Sequence, residues 1–411
     1  MTAAALALLA PPTAAQHDAL RATLLQAHAA YPLYRERMAA AGVTPELIRA
    51  DPLAALARLP PFEPCQIDRL AREALAARAH DLGGVEFSSG TLGPPKRRVL
   101  SEEDVARDAA LLTELMHRAG VRAGDRVAAV EVGVTSLAVA FLEGCERLGV
   151  HATAAIALLP PFDPTPLCRF APSVLIATPS VLSHVLPCLA RGDIRPRLTI
   201  YNGDRLPRHV GAALRAAGVG VRSLYGLTET SALGVECPAE RGVHLAPHVL
   251  AETRVASGAH ELVVTPTGFA MPLLRYPTGD RVRVLRGRCP CGWQTPRVQV
   301  LGRLGQHVAL FDAKFTVGEL EALLPEAVGG IVQVVLSSAA HGRERLTVRL
   351  PAEARALLPE IRQRLCAHPQ LEFLVRAGLV DLRCAFVEPP LRRKVPRVLD
   401  RRRGVSHRGA E

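Results

Sequence analysis

Between Phe87 and Leu100 the chain reads FSSGTLGPPKRRVL, a run of hydroxyls and glycines closed by a lysine and set between apolar neighbours. A phosphate group needs several donors converging on it. A glycine-rich turn offers backbone N–H groups, serine and threonine add hydroxyls, and Lys96 supplies a point charge. The spacing G-x-x-x-x-G-K-[ST] is absent, so this is not a Walker A loop. Further segments carry chemistry-bearing residues: YGLTET at 225–230, YPTGD at 276–280, LGR at 301–303, and Lys394 within RRKVPRV. A Thr-Glu or Gly-Asp pair taken alone is ordinarily a cap or a turn former. Their joint order is what makes them a candidate site.

A second constellation concerns sulfur. Cys237 and His244 stand seven apart, and RCPCGW adds Cys289 and Cys291. Three thiolates and one imidazole match a closed tetrahedral zinc site of the Cys₃His type, although C-x-C is a less usual spacing than C-x-x-C. With no open coordination position, such an ion would be structural and would pin the surrounding segment. The alternative is four ordinary thiols and imidazoles in a loop. Cys65, Cys145, Cys168, Cys188, Cys366 and Cys384 lack such company and read as small core residues.

These residues must be held by regular elements. Residues 18–42 alternate apolar and polar groups at helical spacing, and a proline-rich loop then leads into another helix. From Val85 onward the pattern is strand, glycine-rich turn and helix (SEEDVARDAALLTELMHRAG), then alternating strands and helices through VRSLYG. That alternation predicts an α/β domain with mostly parallel sheets. From about 235 to 300 helices give way to β-like runs (ELVVTP, RVRVL, RVQVLG), which predict a β-rich subdomain carrying the sulfur cluster. After Gly302 the texture changes to a small α+β unit of about 100 residues. The expected division is therefore a core domain over 1–302 and a small, mobile C-terminal domain over 303–411, with the boundary at 302–306.

The 411 residues exceed one ordinary core, and 49% hydrophobic with 22% charged residues fits a globular chain and argues against disorder. No apolar run reaches the ~18 residues of a membrane span. The opening MTAAALALLAPPTAAQ lacks a preceding Lys or Arg and reads as a frayed, alanine-rich start rather than a signal peptide. Nine scattered cysteines do not form a disulfide framework, which points to a reducing cytoplasm. Fifty basic against 39 acidic residues give a charge of +11, which favours anionic partners. Much of that excess lies in PLRRKVPRVLDRRRGVSHR, whose last residues after Arg403 read as a solvated tail. Aromatics interleaved with the basic tail, as single-strand binding would want, are absent, so nucleic acid is not the expected partner.

In order and spacing these motifs resemble the adenylate-forming enzymes that make acyl-AMP, and most closely the phenylacetate–coenzyme A ligase branch. The resemblance runs from LLQAHAAYPLYRERMAAAGV to KVPRVLDRR, and YGLTETSALGVECPAERGVHL is particularly branch-like. It implies that Ser88, Ser89, Gly90, Thr91, Gly93 and Lys96 cradle the β- and γ-phosphates of ATP. Tyr225 and Gly226 would lie by the adenine, where an aromatic face stacks well, beside the turn Asn202, Gly203 and Asp204. Thr228 would hold the α-phosphate and Glu229 a magnesium ion, since a hard cation prefers carboxylate oxygen. Asp280 would accept from both ribose hydroxyls, with Arg303 nearby. Lys394 would stand between the substrate carboxylate and the α-phosphate, where negative charge grows. Some members of the branch carry zinc at the sulfur cluster.

The implied activity is ATP-dependent activation of a carboxylic acid, expected to be aromatic, with transfer to a thiol: coenzyme A or the phosphopantetheine arm of an acidic carrier protein. The chain could act as a homodimer. An amine or other non-thiol acceptor, or a nucleotide-binding relative without catalysis, are the alternatives. Helix 135–149, the Tyr201–Asp204 turn and the residues around Gly226 would line the acid's pocket. Three departures bear on the second half-reaction and the phosphate loop. Leu92 stands where the family has threonine, Gly305 where it has an acidic hinge residue, and FDAKF replaces the Arg-x-Gly signature of the thioester-forming conformation.

Overall fold

The computed structural model describes residues 6–87, 96–131, 136–157, 163–203, 206, 208–256, 259–304, 307–311, 313–328, 331–340, 342–387 and 398–402. The N-terminal stretch with helical spacing forms two helices, Ala14–Ala30 and Pro32–Ala40. Thr13 and Gln16 close a capping box on the first helix. Tyr31 stays extended at φ −117° between them, and Pro32 takes the first position of the second, where its missing N–H costs nothing. The part of the opening described here, Leu6 onward, is not frayed. Leu8 bridges Glu252, the Leu9 N–H donates to the Ala251 carbonyl at 2.8 Å, and both leucines pack on the main core.

A hairpin of β1 (Leu82–Phe87) and β2 (Arg97–Ser101) flanks the glycine-rich segment. Ser101 ends it and caps the helix Glu102–Ala119, its side chain accepting from the Asp104 N–H while Asp104 accepts from the Ser101 N–H. Strands β3 (Arg126–Glu131), β4 (Ala152–Ala157), β5 (Val174–Ala177), β6 (Leu198–Tyr201) and β7 (Gly220–Leu227) follow, alternating with helices. All pairings among them are parallel. The chain continues through β8 (Ser231–Glu236), β9 (Val243–Leu245), β10 (Val249–Ala256), β11 (Ala259–Pro266), β12 (Tyr276–Leu285) and β13 (Arg297–Arg303), which pair antiparallel.

The β-rich stretch is not a separate sheet. Strand β7 pairs with β6 on one side and β8 on the other, so one eleven-stranded sheet runs in the order β10-β11-β12-β13-β9-β8-β7-β6-β5-β3-β4. The switch from parallel to antiparallel pairing occurs at β7, because the β7–β8 connection is a three-residue turn (228–230) and only antiparallel strands can be joined so tightly. The main core joins the N-terminal helices to both halves of this sheet, with Tyr31, Tyr34, Phe62 and Tyr276 in contact in series. A second cluster (Val130, Leu175, Val185, Val210) packs the remaining helices against the parallel strands.

Strands β14 (His307–Leu310) and β15 (Ala313–Thr316) form a hairpin, and β16 (Gln333–Ser338), β17 (Glu344–Pro351), β18 (Val380–Val387) and β19 (Val398–Asp400) form a four-stranded sheet ordered β18-β17-β16-β19. A third buried cluster, among the described residues, draws only on positions between Val308 and Val398. Arg402 is held here rather than solvated. It donates to Glu344 at 2.8 Å and to the Ala309 carbonyl at 3.0 Å, and it pairs with Asp400. Residues 403–411 lie outside the described part.

Candidate active site and metal centre

In open α/β sheets ligands gather at the carboxyl ends of parallel strands, and the candidate residues sit at that end of β6 and β7. Tyr201 ends β6 and pairs in register with Ser223 on β7. Asn202 follows, largely buried, and Gly203 turns the chain at φ +85°, a conformation glycine adopts without strain. Strand β7 carries Tyr225 and Gly226 into the turn that holds Thr228 and Glu229. A Cβ on Gly226 would lie 2.5 Å from the Ser231 carbonyl oxygen, so only glycine permits this close return of β8. Ser231 completes the reversal at φ +64°.

Two polar clusters form here. The Lys96 ammonium donates to Glu229 Oε1 at 2.7 Å and to the Tyr276 hydroxyl at 2.9 Å, and that hydroxyl donates to the same Oε1 at 2.9 Å. Burial opposes ionisation of Glu229, but the Lys96 charge and hydrogen bond, with the Tyr276 hydroxyl, outweigh it and hold the carboxyl below its usual range. On the next turn back, the Tyr225 hydroxyl donates to Asp280 Oδ2 at 2.8 Å, with both residues buried. Asp280 pairs with Arg303 across the β12–β13 ladder, and the Leu304 N–H donates to the Gly279 carbonyl at 2.8 Å. A recess beside Glu229 is lined by Val99, Phe269, Met271 and Leu273, with Arg98 at its polar end. Arg98 is itself held by Asp108 at 2.7 Å and Glu86 at 3.2 Å.

Ser88, Ser89, Gly90, Thr91, Leu92 and Gly93 lie outside the described residues, as do Asp204, Gly305 and Lys394. Lys394 belongs to the segment between β18 and β19. The helix expected over 135–149 spans Ser136–Arg147. Sequence reasoning gave no role to Tyr276, although it opens the quoted YPTGD, or to Arg275, which precedes it. The signal that was available is an aromatic at the start of the strand bearing Asp280.

The sulfur residues come together. Strand β8 ends at Cys237's neighbour Glu236, β9 carries His244, and Cys289 and Cys291 lie on the loop between β12 and β13. Gly234 lets β9 close in, since a Cβ there would lie 2.1 Å from the His244 carbonyl oxygen. One ligand atom from each of the four residues falls within 4.8 Å of all the others. Cys237 Sγ and Cys289 Sγ are 3.6 Å apart, and Cys291 Sγ is 3.4 Å from His244 Nε2. A zinc tetrahedron has S···S edges of about 3.8 Å and S···N edges of about 3.5 Å, given Zn–S and Zn–N of about 2.3 and 2.0–2.1 Å. The set therefore fits zinc. Burial, with the charges of Arg297 and Arg118, pushes His244 down to about 4, leaving the neutral imidazole a metal ligand needs. Thr295 Oγ1 lies 3.4 Å from Nδ1, and Trp293 stacks on the ring at 5.0 Å.

The other cysteines are more varied than expected. Cys145 and Cys188 are buried, but Cys65 is exposed in the short turn Pro64–Gln66, where there is no core to enter. Cys168 and Cys188 are not without company, since both lie near Asp193. There the Arg191 guanidinium already serves as the cation, 3.5 Å from Cys188 Sγ and 2.7 Å from Asp193.

Residues 13–256 match the AMP-binding enzymes. The chain is similar to the phenylacetate–coenzyme A ligase of Aromatoleum evansii, at 28% identity over 306 residues covering 67% of this chain and 69% of that one. The phenylacetate–coenzyme A ligase of Thermus thermophilus is 27% identical over 340 residues, 77% of this chain and 76% of the relative. In fold the chain is similar to 2-hydroxyisobutyryl-CoA ligase crystallised with 2-HIB-AMP and CoA. That likeness has a TM-score of 0.71 at 20% identity and covers 95% of this chain and 89% of the other.

Proposed function

The chain belongs to the AMP-binding enzymes, and on that premise we propose that it activates a carboxylic acid with ATP and passes the acyl group to a thiol. A carboxylate oxygen attacks the α-phosphorus, the bond to the β-phosphate oxygen breaks, and pyrophosphate leaves. A thiol sulfur then attacks the acyl carbon of the acyl-adenylate, AMP departs, and the thiol proton is released. The observation that carries this reading is the convergence of Lys96, Glu229, Tyr225 and Asp280 at the carboxyl end of β7. The phenylacetate–coenzyme A ligases among the relatives favour an aromatic acid, and coenzyme A over a carrier protein or a non-thiol acceptor.

In this reading Asp280, fixed by the Tyr225 hydroxyl, takes the ribose hydroxyls, and Tyr225 offers its ring to the adenine. Arg303, Gly203, Asp204 and Gly226 complete the nucleoside side. Thr228 receives the α-phosphate, and Lys96 with Ser88, Ser89, Gly90, Thr91 and Gly93 receives the outgoing phosphates. Glu229 would hold magnesium, which would neutralise charge on the phosphate oxygens. Lys394 stabilises the charge that develops at the α-phosphate. The lysine census supports both lysine roles. Only Lys96, Lys314 and Lys394 occur in a chain of 50 basic residues. A compact ammonium and a planar guanidinium are not interchangeable at such points.

The core domain is placed at 1–302 and the small domain carrying Lys394 at 303–411, supported by the buried cluster confined to 308–398. Rotation of the small domain about 302–306 would alternate the half-reactions. Cys237, His244, Cys289 and Cys291 would hold a structural zinc that ties the β12–β13 loop to β8 and β9. Nine free thiols suit a reducing cytoplasm, and no helix among the described residues is long and apolar enough to cross a membrane. Incubation with ATP, magnesium, coenzyme A and phenylacetate or benzoate should yield the acyl-AMP and then the thioester, read by mass spectrometry. An acyl-AMP that forms but reaches only amines would replace the thiol with another acceptor. No acyl-AMP from any acid would remove the reading.

A further inference from the structure

We infer that Tyr276 is a positioning residue of the phosphate and metal side of the nucleotide site, an inference that rests on the reading above. Its hydroxyl is the one group that touches both Lys96 and Glu229 among the described residues, at 2.9 Å to each. It donates its proton to the carboxylate and accepts from the ammonium, so its hydrogen bonds run in one direction and neither partner can be exchanged for the other. The ring is 1% exposed and packs against Phe62 at 5.9 Å, which leaves the hydroxyl little freedom to follow a moving partner.

The backbone behind it is also fixed. Arg275 is held at φ +53°, a conformation that costs a non-glycine residue free energy and persists where its surroundings enforce it. Here they do. The Arg275 N–H donates to Thr265 Oγ1 at 2.9 Å, and its carbonyl accepts from the Phe62 N–H at 2.8 Å. Its guanidinium grips both oxygens of buried Glu252, at 2.7 and 2.8 Å, and the Leu59 carbonyl at 2.6 Å. Tyr276 then enters β12 in register with Val264. The strained residue sets the direction from which the tyrosine reaches the site.

Lys96 and Tyr276 now share one oxygen of Glu229. Were Lys96 to turn to the phosphates of ATP and Glu229 to hold a magnesium ion, the tyrosine would be the partner that stays. It would keep Oε1 in place, so the carboxylate would offer a fixed edge to a bound cation. Its ring face, 5.6 Å from Lys96 Nζ, remains beside the lysine as it moves.

The test is Tyr276→Phe, which removes the hydroxyl and retains the ring. Calorimetric binding of ATP over a range of magnesium concentrations needs no knowledge of the acid. Loss of one hydrogen bond to a charged group corresponds to a factor of about ten or more. The magnesium concentration for half-maximal ATP binding should rise about tenfold in the variant. Adenosine, which has no phosphate, should bind as to wild type, and Tm should fall by no more than a few degrees, the loss expected for one buried hydrogen bond. Equal magnesium dependence in the two proteins would overturn the inference while leaving the nucleotide site intact. A variant that melts about ten degrees or more below wild type, well beyond one hydrogen bond's worth, or that loses adenosine, would make the hydroxyl a structural group and also overturn it. Wild type that binds no ATP at any magnesium concentration would sink the underlying reading as well.

Discussion

Replacing Lys96 by methionine would leave Glu229 without its counter-charge in a site where the carboxylate side chain is only 9% exposed. Breaking a fully buried pair costs about 3–5 kcal/mol, because the remaining charge is stranded. Here Lys96 is 28% exposed and the Tyr276 hydroxyl still donates to Glu229, so about 2 kcal/mol is the better figure. At about 2.1 cal/mol/K of unfolding entropy per residue over a core of about 300 residues, that lowers Tm by about 3 °C. The loss should depend on pH. In the wild-type fold Glu229 is held below its ordinary value, so its stabilising contribution is present above the unfolded pKa and fades as pH falls through the folded one. In Lys96→Met burial, already the largest single influence, is no longer outweighed and raises the folded pKa above the unfolded one. The variant is then penalised at neutral pH, and acid relieves the penalty by protonating the carboxyl. The gap in Tm should be full near pH 7–8, narrow as pH falls, and close only below the ordinary carboxylate range, where Glu229 is protonated in the wild-type fold as well. Thermal melts of both proteins across that range measure it, with Glu229→Gln in the Lys96→Met background as the control that should recover stability. An equal deficit at every pH would refute the electrostatic argument and reduce Lys96 to a packing contact.

Zinc should be found near one per chain in protein purified without added metal, and Cys289→Ser with Cys291→Ser should remove it. Because such an ion would be structural, chelation should lower Tm before any effect on nucleotide binding appears; metal that survives the double substitution would place the site elsewhere. If 302–306 acts as the proposed hinge, Gly305 and FDAKF would leave it without the acidic and Arg-x-Gly residues that the resemblance leads one to expect. Acyl-AMP should therefore form faster than free coenzyme A is acylated in single-turnover measurements, and equal rates would show the hinge competent as it stands. Gly305→Asp should narrow that difference, since glycine leaves more alternative states at this point, and unchanged rates would place the cause in FDAKF instead.

The strands alternating with helices were legible because each is a short apolar run bounded by turn residues, and Cys237, His244, Cys289 and Cys291 were legible because ligand chemistry admits few residue types. The continuity of the sheet through β7 was not. It depends on pairing partners far apart in sequence, such as β9 with β13, which no local pattern encodes. The N-terminal periodicity was visible, but not that Tyr31 and Tyr34 donate to the carbonyls of Ala270 and Pro272, contacts made across more than 200 positions. Tyr276 illustrates the limit most directly. An aromatic at the start of a strand ordinarily means burial. Its second role comes from a hydroxyl aimed by Arg275, whose left-handed backbone arises from tertiary hydrogen bonds and not from its own preference.

The central claim, that this chain adenylates a carboxylic acid with Lys394 at the reacting phosphate, is tested most directly by acid-dependent ATP–pyrophosphate exchange in wild type and Lys394→Ala. A panel of phenylacetate-, benzoate- and cinnamate-type acids covers the expected substrate class. One preorganised charge at a developing anion is worth about 3–4 kcal/mol, so the variant should exchange about 10²–10³-fold more slowly with ATP binding and Tm preserved. Exchange independent of any acid, or near wild-type exchange by Lys394→Ala, would contradict the account.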